Sequence, residues 1–332
     1  MPVPQRVALT LPDPRGVNPT LEIAAWAENE GYDDLWFADS SGVDALTTAA
    51  GVALKTQRCR IGTAIIPVYT RTPAVLASTA HVLHDLSDGR FILGLGSSSE
   101  MMMENWHGQK FEKPLTRVKE TTQLVKSILT GEKTDFQGQT VRSRGYRQLP
   151  LEPGAQPVYM AALRSKMLET AAEYSDGVIL NLFPFDALPK MIEHIKAGGE
   201  RAGKKLEDIE IVCRHQVIVT DDKEGARNLI RSAFAPYYAT SVYNKFLAWA
   251  GYEDVAKTIA EGWAEKDRNK TTGALDDKLI DDIAIIGSKE ECQDRIRQYA
   301  EAGITTHIIS CVSGQDAQAT YSAFTGNNFS IR

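Results

Sequence analysis

Residues 73–87 read Pro73-Ala74-Val75-Leu76-Ala77-Ser78-Thr79-Ala80-His81-Val82-Leu83-His84-Asp85-Leu86-Ser87, and after Asp88-Gly89-Arg90 comes Phe91-Ile92-Leu93-Gly94-Leu95-Gly96. In the first run, apolar Val75, Leu76, Val82, Leu83 and Leu86 recur every three or four residues, which predicts one buried face of a helix. The second run is short, continuous and apolar, the pattern of a strand covered on both faces. A helix feeding such a strand is half of a parallel β/α repeat, so the fold depends on how often the unit recurs.

It recurs along the whole chain. Strands are expected at Val7–Leu11, Leu35–Ala38, Arg60–Ile66, Phe91–Gly96, Val158–Ala162, Gly177–Phe183, Ile209–Val219 and Thr306–Val312. Asn18-Pro19 reads as a helix start with proline at the first helical position, and Gly31 as that helix's stop. Leu115, Val118, Val125, Ile128 and Leu129 mark a helix that Gly131 ends, and Ser288 with Glu291 is a capping-box pair ahead of Ile296, Tyr299 and Ala300. Eight strands with helical crossovers suit a closed barrel, and an open doubly wound sheet is the competing architecture. Two stretches exceed the plain repeat. Residues 97–156 hold two helices and a hairpin around Gln137-Gly138-Gln139, and residues 220–286 hold several helices. No linker divides residues 1–332, so a single domain with these two insertions is expected.

Composition narrows the function. The chain of 332 residues is 43% hydrophobic and 24% charged with net charge −6, which fits a globular protein and disfavours a broad nucleic-acid surface. No apolar run approaches the ~18–20 residues of a membrane span, and the first residues lack the apolar stretch of a secretory signal. A cytoplasmic protein with no membrane partner is therefore expected. Cys59, Cys213, Cys292 and Cys311 are far apart, as for free thiols, and no metal site is expected. Motifs for zincins, P-loop enzymes and α/β-hydrolases are absent. His81 and His84 read as surface residues, and Met101-Met102-Met103 as helix packing.

Several strand ends carry polar or small residues. Gly94-Leu95-Gly96-Ser97-Ser98-Ser99 is a weak dinucleotide fingerprint, better read as a tight turn that a flat ring can approach. Asp39 heads Asp39-Ser40-Ser41-Gly42 and reads as a catalytic acid or as a helix cap, the cap being favoured on the residues alone. Arg214 reads either as an anion ligand or as a structural ion-pair partner.

Three stretches together resemble the bacterial luciferase-like flavin and deazaflavin superfamily. They are Ile61-Gly62-Thr63-Ala64 through Tyr69-Thr70-Arg71-Thr72-Pro73-Ala74-Val75, then residues 86–96, then Pro157–Leu163 through Asp176-Gly177-Val178. Tyr69-Thr70-Arg71-x-Pro73 and Glu104-Asn105-Trp106-His107-Gly108, with Phe111, Pro114, Leu115 and Arg117, are most similar to the coenzyme F420-dependent branch, which includes methylenetetrahydromethanopterin reductase. The resemblance implies a (β/α)₈ TIM barrel whose strand tips hold the cofactor, coenzyme F420 or alternatively FMN. It also implies a non-proline cis peptide backing the ring, placed at Ala64–Ile65. Ser97 and Ser98 match positions beside the ring, and Leu163, Arg164 and Ser165 match a phosphate-holding loop. Asp39 matches an acid near the ring. The residue after it is commonly His in F420 enzymes and is Ser40 here.

The expected activity is F420-dependent hydride transfer to or from a small organic substrate, with Asp39, Ser40 and His107 as catalytic candidates. An FMN-dependent monooxygenase using O₂ and a non-catalytic flavin-binding protein are the alternatives. A homodimer, paired through the helices after strands two and three, is also expected.

Overall fold

The computed structural model describes residues 2–40, 42–312 and 317–331; Ser41, within the Asp39–Gly42 run, lies outside them. The strands in chain order are β1 (Arg6–Leu11), β2 (Asp34–Phe37), β3 (Arg60–Thr63), β4 (Ile66–Pro67), β5 (Phe91–Gly96), β6 (Asp135–Gln137), β7 (Arg142–Arg144), β8 (Val158–Ala161), β9 (Gly177–Asn181), β10 (Glu210–Val219), β11 (Ala284–Gly287) and β12 (Thr306–Ser310). The helices are α1 (Val17–Asn29), α2 (Ala45–Lys55), α3 (Pro73–Leu86), α4 (Pro114–Leu129), α5 (Ser165–Tyr174), α6 (Leu188–Arg201), α7 (Lys223–Ala239), α8 (Ser241–Trp249), α9 (Glu253–Ala264), α10 (Arg268–Gly273), α11 (Asp277–Ile283), α12 (Lys289–Glu301) and α13 (Ala317–Ala323).

Parallel pairing runs β1-β2-β3-β5-β8-β9-β10-β12 and back to β1, so the sheet closes into an eight-stranded barrel inside a ring of helices. An open sheet is excluded by that closure. The outer end of β10 also pairs with β11, a four-residue strand that follows the α7–α11 excursion. Between β5 and β8 lie a π-helical turn (Met102–Trp106), α4 and the β6–β7 hairpin. Glu120 of α4 clamps that hairpin's turn, accepting from the Gln139 and Thr140 N–H groups at 2.7 and 2.8 Å.

Side chains alternate in and out along each strand. Inside, Ala8, Trp36, Ile92, Tyr159, Ile179, Val212 and Ile308 form one apolar layer. Beneath it an ionic plug closes the N-terminal end. Arg60 donates to Asp34 at 2.6 Å and to Glu210 at 2.7 Å. Thr306 and Tyr159 hydroxyls donate to the same Glu210 carboxylate at 2.6 and 2.7 Å. Burial pushes the Asp34 carboxyl up, whereas for Glu210 the Arg60 guanidinium and the two hydroxyls outweigh burial and hold it below its usual range.

Outside the barrel, α3 departs from the expected pattern. It buries Leu76, Ala77, Ala80 and Leu83, while Val75, Val82 and Leu86 are 48%, 55% and 37% exposed. The two alanines decide this: they allow a close approach to the sheet, which turns the larger apolar residues away. The α1 helix begins at Val17 after Gly16, so Pro19 stands inside its first turn rather than opening it. The Ser288–Glu291 capping box is formed at the start of α12.

Behind the sheet, Tyr299 of α12 packs edge-on to His215. His215 Nε2 lies 3.1 Å from His307 Nδ1, whose Nε2 lies 3.1 Å from Gln5 Oε1. Burial pushes His307 down to about 3 and, with repulsion from His307 and Arg295, pushes His215 well below its usual 6.5. Both rings are therefore neutral in the fold, while the unfolded chain takes up protons near pH 6.5. Stability is full above that pH and falls as pH drops toward the folded values, by up to about 1.4 kcal/mol per pH unit for each histidine. Thermal unfolding at about pH 7.5 and about pH 5 should show a smaller acid loss in His307→Gln than in the unaltered protein. Arg60→Met leaves Glu210 without a counter-charge and Asp34 with only the 3.9 Å pairing to Arg6, and is expected to cost about 3–5 kcal/mol in urea unfolding.

Candidate active site

Strand three, expected to run unbroken over Arg60–Ile66, is interrupted. Gly62 pairs with Ile92, and the next pairing is Ile66 with Leu95, so four residues on one strand span three on its neighbour. This is a bulge. Its Ala64–Ile65 peptide is cis, at the position the family resemblance implies. The Thr63 side chain fills the gap in the ladder. Its Oγ1 accepts the Gly94 N–H at 2.8 Å and donates to the Gly94 carbonyl at 3.0 Å, so both buried backbone groups are satisfied. The Ala64 N–H donates to the Phe37 carbonyl at 2.6 Å.

Glycine is needed opposite this bulge for space. A Cβ on Gly94 would stand 1.8 Å from the Thr63 carbonyl oxygen, and one on Gly96 would stand 2.7 Å from Ile65 Cγ1. The small Gly94-Leu95-Gly96 run thus seats the bulge itself.

Above the apolar layer the strand tips change character. Thr10, Ala38, Ala64, Ile65, Ser97, Ala161, Asn181 and Arg214 are each partly exposed, although the strands below them are almost wholly buried. Much of the floor on the β3–β5 side is alanine, glycine and hydroxyl, which suits a flat ring laid against the bulge, while Ile65, Asn181 and Arg214 are the larger side chains among these positions.

A cleft of about 390 Å³ opens beside the bulge, lined by Asp39, Ser40, Asp44, Pro67, Thr70, Arg71, Trp106 and His107 among others. The three catalytic candidates therefore share one cleft. Asp39 Oδ2 accepts from Arg71 Nη1 at 2.8 Å, and its Oδ1 accepts the Ala45 N–H at the start of α2 at 3.3 Å. Asp39 thus takes the first N–H of α2 without being its N-cap residue, which is Asp44. Asp44 caps α2 through the Thr47 N–H at 2.7 Å and also pairs with Arg71. Burial raises the Asp44 carboxyl, but Thr47 and Arg71 outweigh it and hold the group below its usual range. Burial likewise disfavours charge on Arg71, and the two carboxylates more than offset it. Ser40 and His107 are exposed on the cleft wall.

The residues on which the family resemblance rests, Tyr69, Phe111 and Arg117, pack as one unit. Tyr69 stacks at 5.2 Å on Phe111, and Arg117 lies 5.3 Å over the Tyr69 ring. The Tyr69 hydroxyl donates to the Glu112 carbonyl at 2.7 Å, and Arg117 donates to the Thr140 carbonyl at 2.8 Å. This cluster ties the insertion to the bulge.

Ser97 and Ser98 follow β5 at the mouth; Ser98 adopts φ 61° and its hydroxyl lies 3.5 Å from Met102 Sδ. Leu163, Arg164 and Ser165 lie outside the cleft, at the tip of the next barrel strand. Arg164 precedes α5 in extended conformation with no side-chain cap, which leaves the first N–H groups of that helix free for an anion. Thr10, Asn181 and Tyr243 were not singled out by motif. The signal that finds Thr10 and Asn181 is strand parity, since each is the last inward residue of its strand.

These features define an enzyme of the (β/α)₈ barrel class, with its working end at the strand tips. Residues 3–306 match the family model of luciferase-like monooxygenases, and the chain belongs to that family. It is 30% identical to the 5,10-methylenetetrahydromethanopterin reductase of Methanolobus tindarius over 91% of this chain and 93% of that one. It is 29% identical to a putative coenzyme F420-dependent oxidoreductase of Mycobacterium tuberculosis over 90% of this chain and 92% of that one. The solved coenzyme F420-dependent tetrahydromethanopterin reductase of Methanopyrus kandleri superposes with TM-score 0.80 at 21% identity, covering 96% of this chain and 97% of that one. Among the described residues no helix is long and apolar enough to cross a membrane, and no cluster of His, Cys, Asp and Glu could hold a metal.

Gly94→Ala should force β3 and β5 apart and destabilise by about 3 kcal/mol, read by urea unfolding. Gly203→Ala, with φ 70° but no neighbour within 4 Å of its Cβ, is the control for glycine removal itself and should cost less.

Proposed function

We propose that the protein is a coenzyme F420-dependent oxidoreductase acting on a small organic substrate. The observation that carries this reading is the small-residue floor at the Ala64–Ile65 bulge, beside a cleft holding Asp39, Ser40 and His107. The relatives named for F420 support the cofactor class. Bound there, a deazaflavin would supply a hydride at C5 to an electrophilic C=C, C=N or carbonyl carbon, or accept one in reverse.

The chain's own residues have distinct parts in this reading. Ala64 and Ile65 back the ring. Ser97 and Ser98 offer hydroxyl and backbone groups to its side. Leu163, Arg164 and Ser165 bring free N–H groups of α5 and the Arg164 charge to the cofactor phosphate. Asp39, fixed by Arg71, orients the ring edge. Ser40, standing where F420 enzymes commonly carry His, passes a proton without holding a charge. His107, exposed on the opposite wall, is the acid/base of the cleft. The same reading makes the protein a homodimer through α2 and α3, whose outer faces show Leu54, Val75 and Val82 at 68%, 48% and 55% exposure.

The test is reconstitution. F420 should bind with micromolar or better affinity and keep a band near 420 nm, and FMN should bind at least about tenfold more weakly. Tight FMN binding without F420 binding would overturn the cofactor assignment in favour of O₂ chemistry. His107→Gln should lower F420 oxidation across a carbonyl and imine panel about 100-fold with cofactor affinity unchanged.

A further inference from the structure

The barrel wall facing the bulge carries polar side chains whose partners are missing. In the closed order β1-β2-β3-β5-β8-β9-β10-β12, β10 stands four places from β3, so its inward residues look across the lumen at Ala64 and Ile65. Val212 belongs to the internal layer, and Arg214, two residues on, has the same inward parity. Its register partner on β9 is Asn181.

Among the described residues Arg214 has one polar contact, Nε donating to Thr10 Oγ1 at 3.4 Å, and no carboxylate pairs with it. The groups whose charge it feels are the hydroxyls of Tyr237, Tyr243 and Tyr321, and burial disfavours its charged form. Asn181 Nδ2 donates to the Tyr243 hydroxyl at 3.3 Å, but its Oδ1 is buried without a partner. Gln216, the next inward residue of β10, has both amide atoms buried without partners. A guanidinium held in a low-dielectric lumen without a counter-charge is costly, and orphaned amides add to the cost. Arginine's fixed fork of donors matches a carboxylate, and the neighbouring amide oxygens accept from a hydroxyl beside it.

We propose that Arg214, with Asn181 and Gln216, forms a subsite for the carboxylate of an anionic organic substrate, preferably one bearing an adjacent hydroxyl. The subsite rests on the oxidoreductase reading only in what the substrate lies against: the wall opposite Arg214 is the one that backs the ring. It decides between the two readings of Arg214 in favour of a ligand over a structural ion pair. A carboxylate and an anionic cofactor ring share the same chemistry, and the test separates them.

Lactate and mandelate, each paired with its neutral amide, are titrated by tryptophan fluorescence and thermal shift, with and without F420. The unaltered protein should bind each acid at least tenfold tighter than its amide. Arg214→Met should erase that preference while melting at or above the unaltered temperature, because it removes an uncompensated charge. Arg214→Lys should keep part of it. Equal binding of acid and amide, or a preference that survives in Arg214→Met, overturns the proposal. So does a lower melting temperature in Arg214→Met with selectivity intact, which marks a structural residue. Loss of F420 affinity in Arg214→Met with acid selectivity intact assigns the anion to the cofactor and overturns it too. Failure of F420 to bind any variant, with acid selectivity retained, sinks only the oxidoreductase reading.

Discussion

The contact between Thr63 and Gly94 is the constraint on which the working end of the molecule depends. One hydroxyl both accepts from and donates to the backbone of a single residue on the neighbouring strand, which closes the ladder where β3 leaves it. A buried strand edge with unpaired N–H and C=O groups is costly, so the extra residue of the bulge is tolerable only because a threonine stands there. The facing strand must in turn be glycine, since the carbonyl of Thr63 occupies the place a Cβ would take. From this close approach follow the position of Ala64 and Ile65, the shallow floor above the apolar layer and the room for a flat ligand.

The barrel divides labour between its ends. At the N-terminal end, Arg60 meets Asp34 and Glu210, and Thr306 and Tyr159 complete the Glu210 acceptor sites, although Arg6 Nε and Gln156 Oε1 have no partner among the described residues. At the C-terminal end, the polar groups are incompletely satisfied. Asp39, Asp44 and Arg71 form a partial network open to the cleft, and among the described residues Asn181 Oδ1 and both Gln216 amide atoms have no partner. Closed polar networks stabilise a fold, whereas buried polar groups without partners cost it stability.

The two faces of the mouth are complementary. The β3–β5 side is shaped by backbone and small residues and is nearly without charge. The β9–β10 side carries a guanidinium and amides, with the Tyr243 hydroxyl of α8 bonded to Asn181. In the proposed reading, the first takes the planar cofactor and the second the anionic substrate. The insertion after β5 adds the third wall through Trp106 and His107, anchored by the Tyr69–Phe111–Arg117 stack.

The local pattern of residues determined the repeat, the number of barrel strands, the stops at Gly31 and Gly131 and the Ser288–Glu291 capping box, because strand runs, capping pairs and stop glycines are short-range effects written into neighbouring positions, whereas the start of α1 and the cap of α2 fell elsewhere. It also carried the family likeness, through Tyr69–Pro73 and the stretch ending at Gly96. Closure of the sheet, the face that α3 buries and the isolation of Arg214 were settled only by packing. Alanine 77 and alanine 80 outrank larger apolar residues because distance of approach to the sheet, not hydrophobicity alone, fixes a helix's rotation. Whether an arginine has a counter-ion depends on residues brought from β1, β9 and α8, and no spacing within β10 could reveal that.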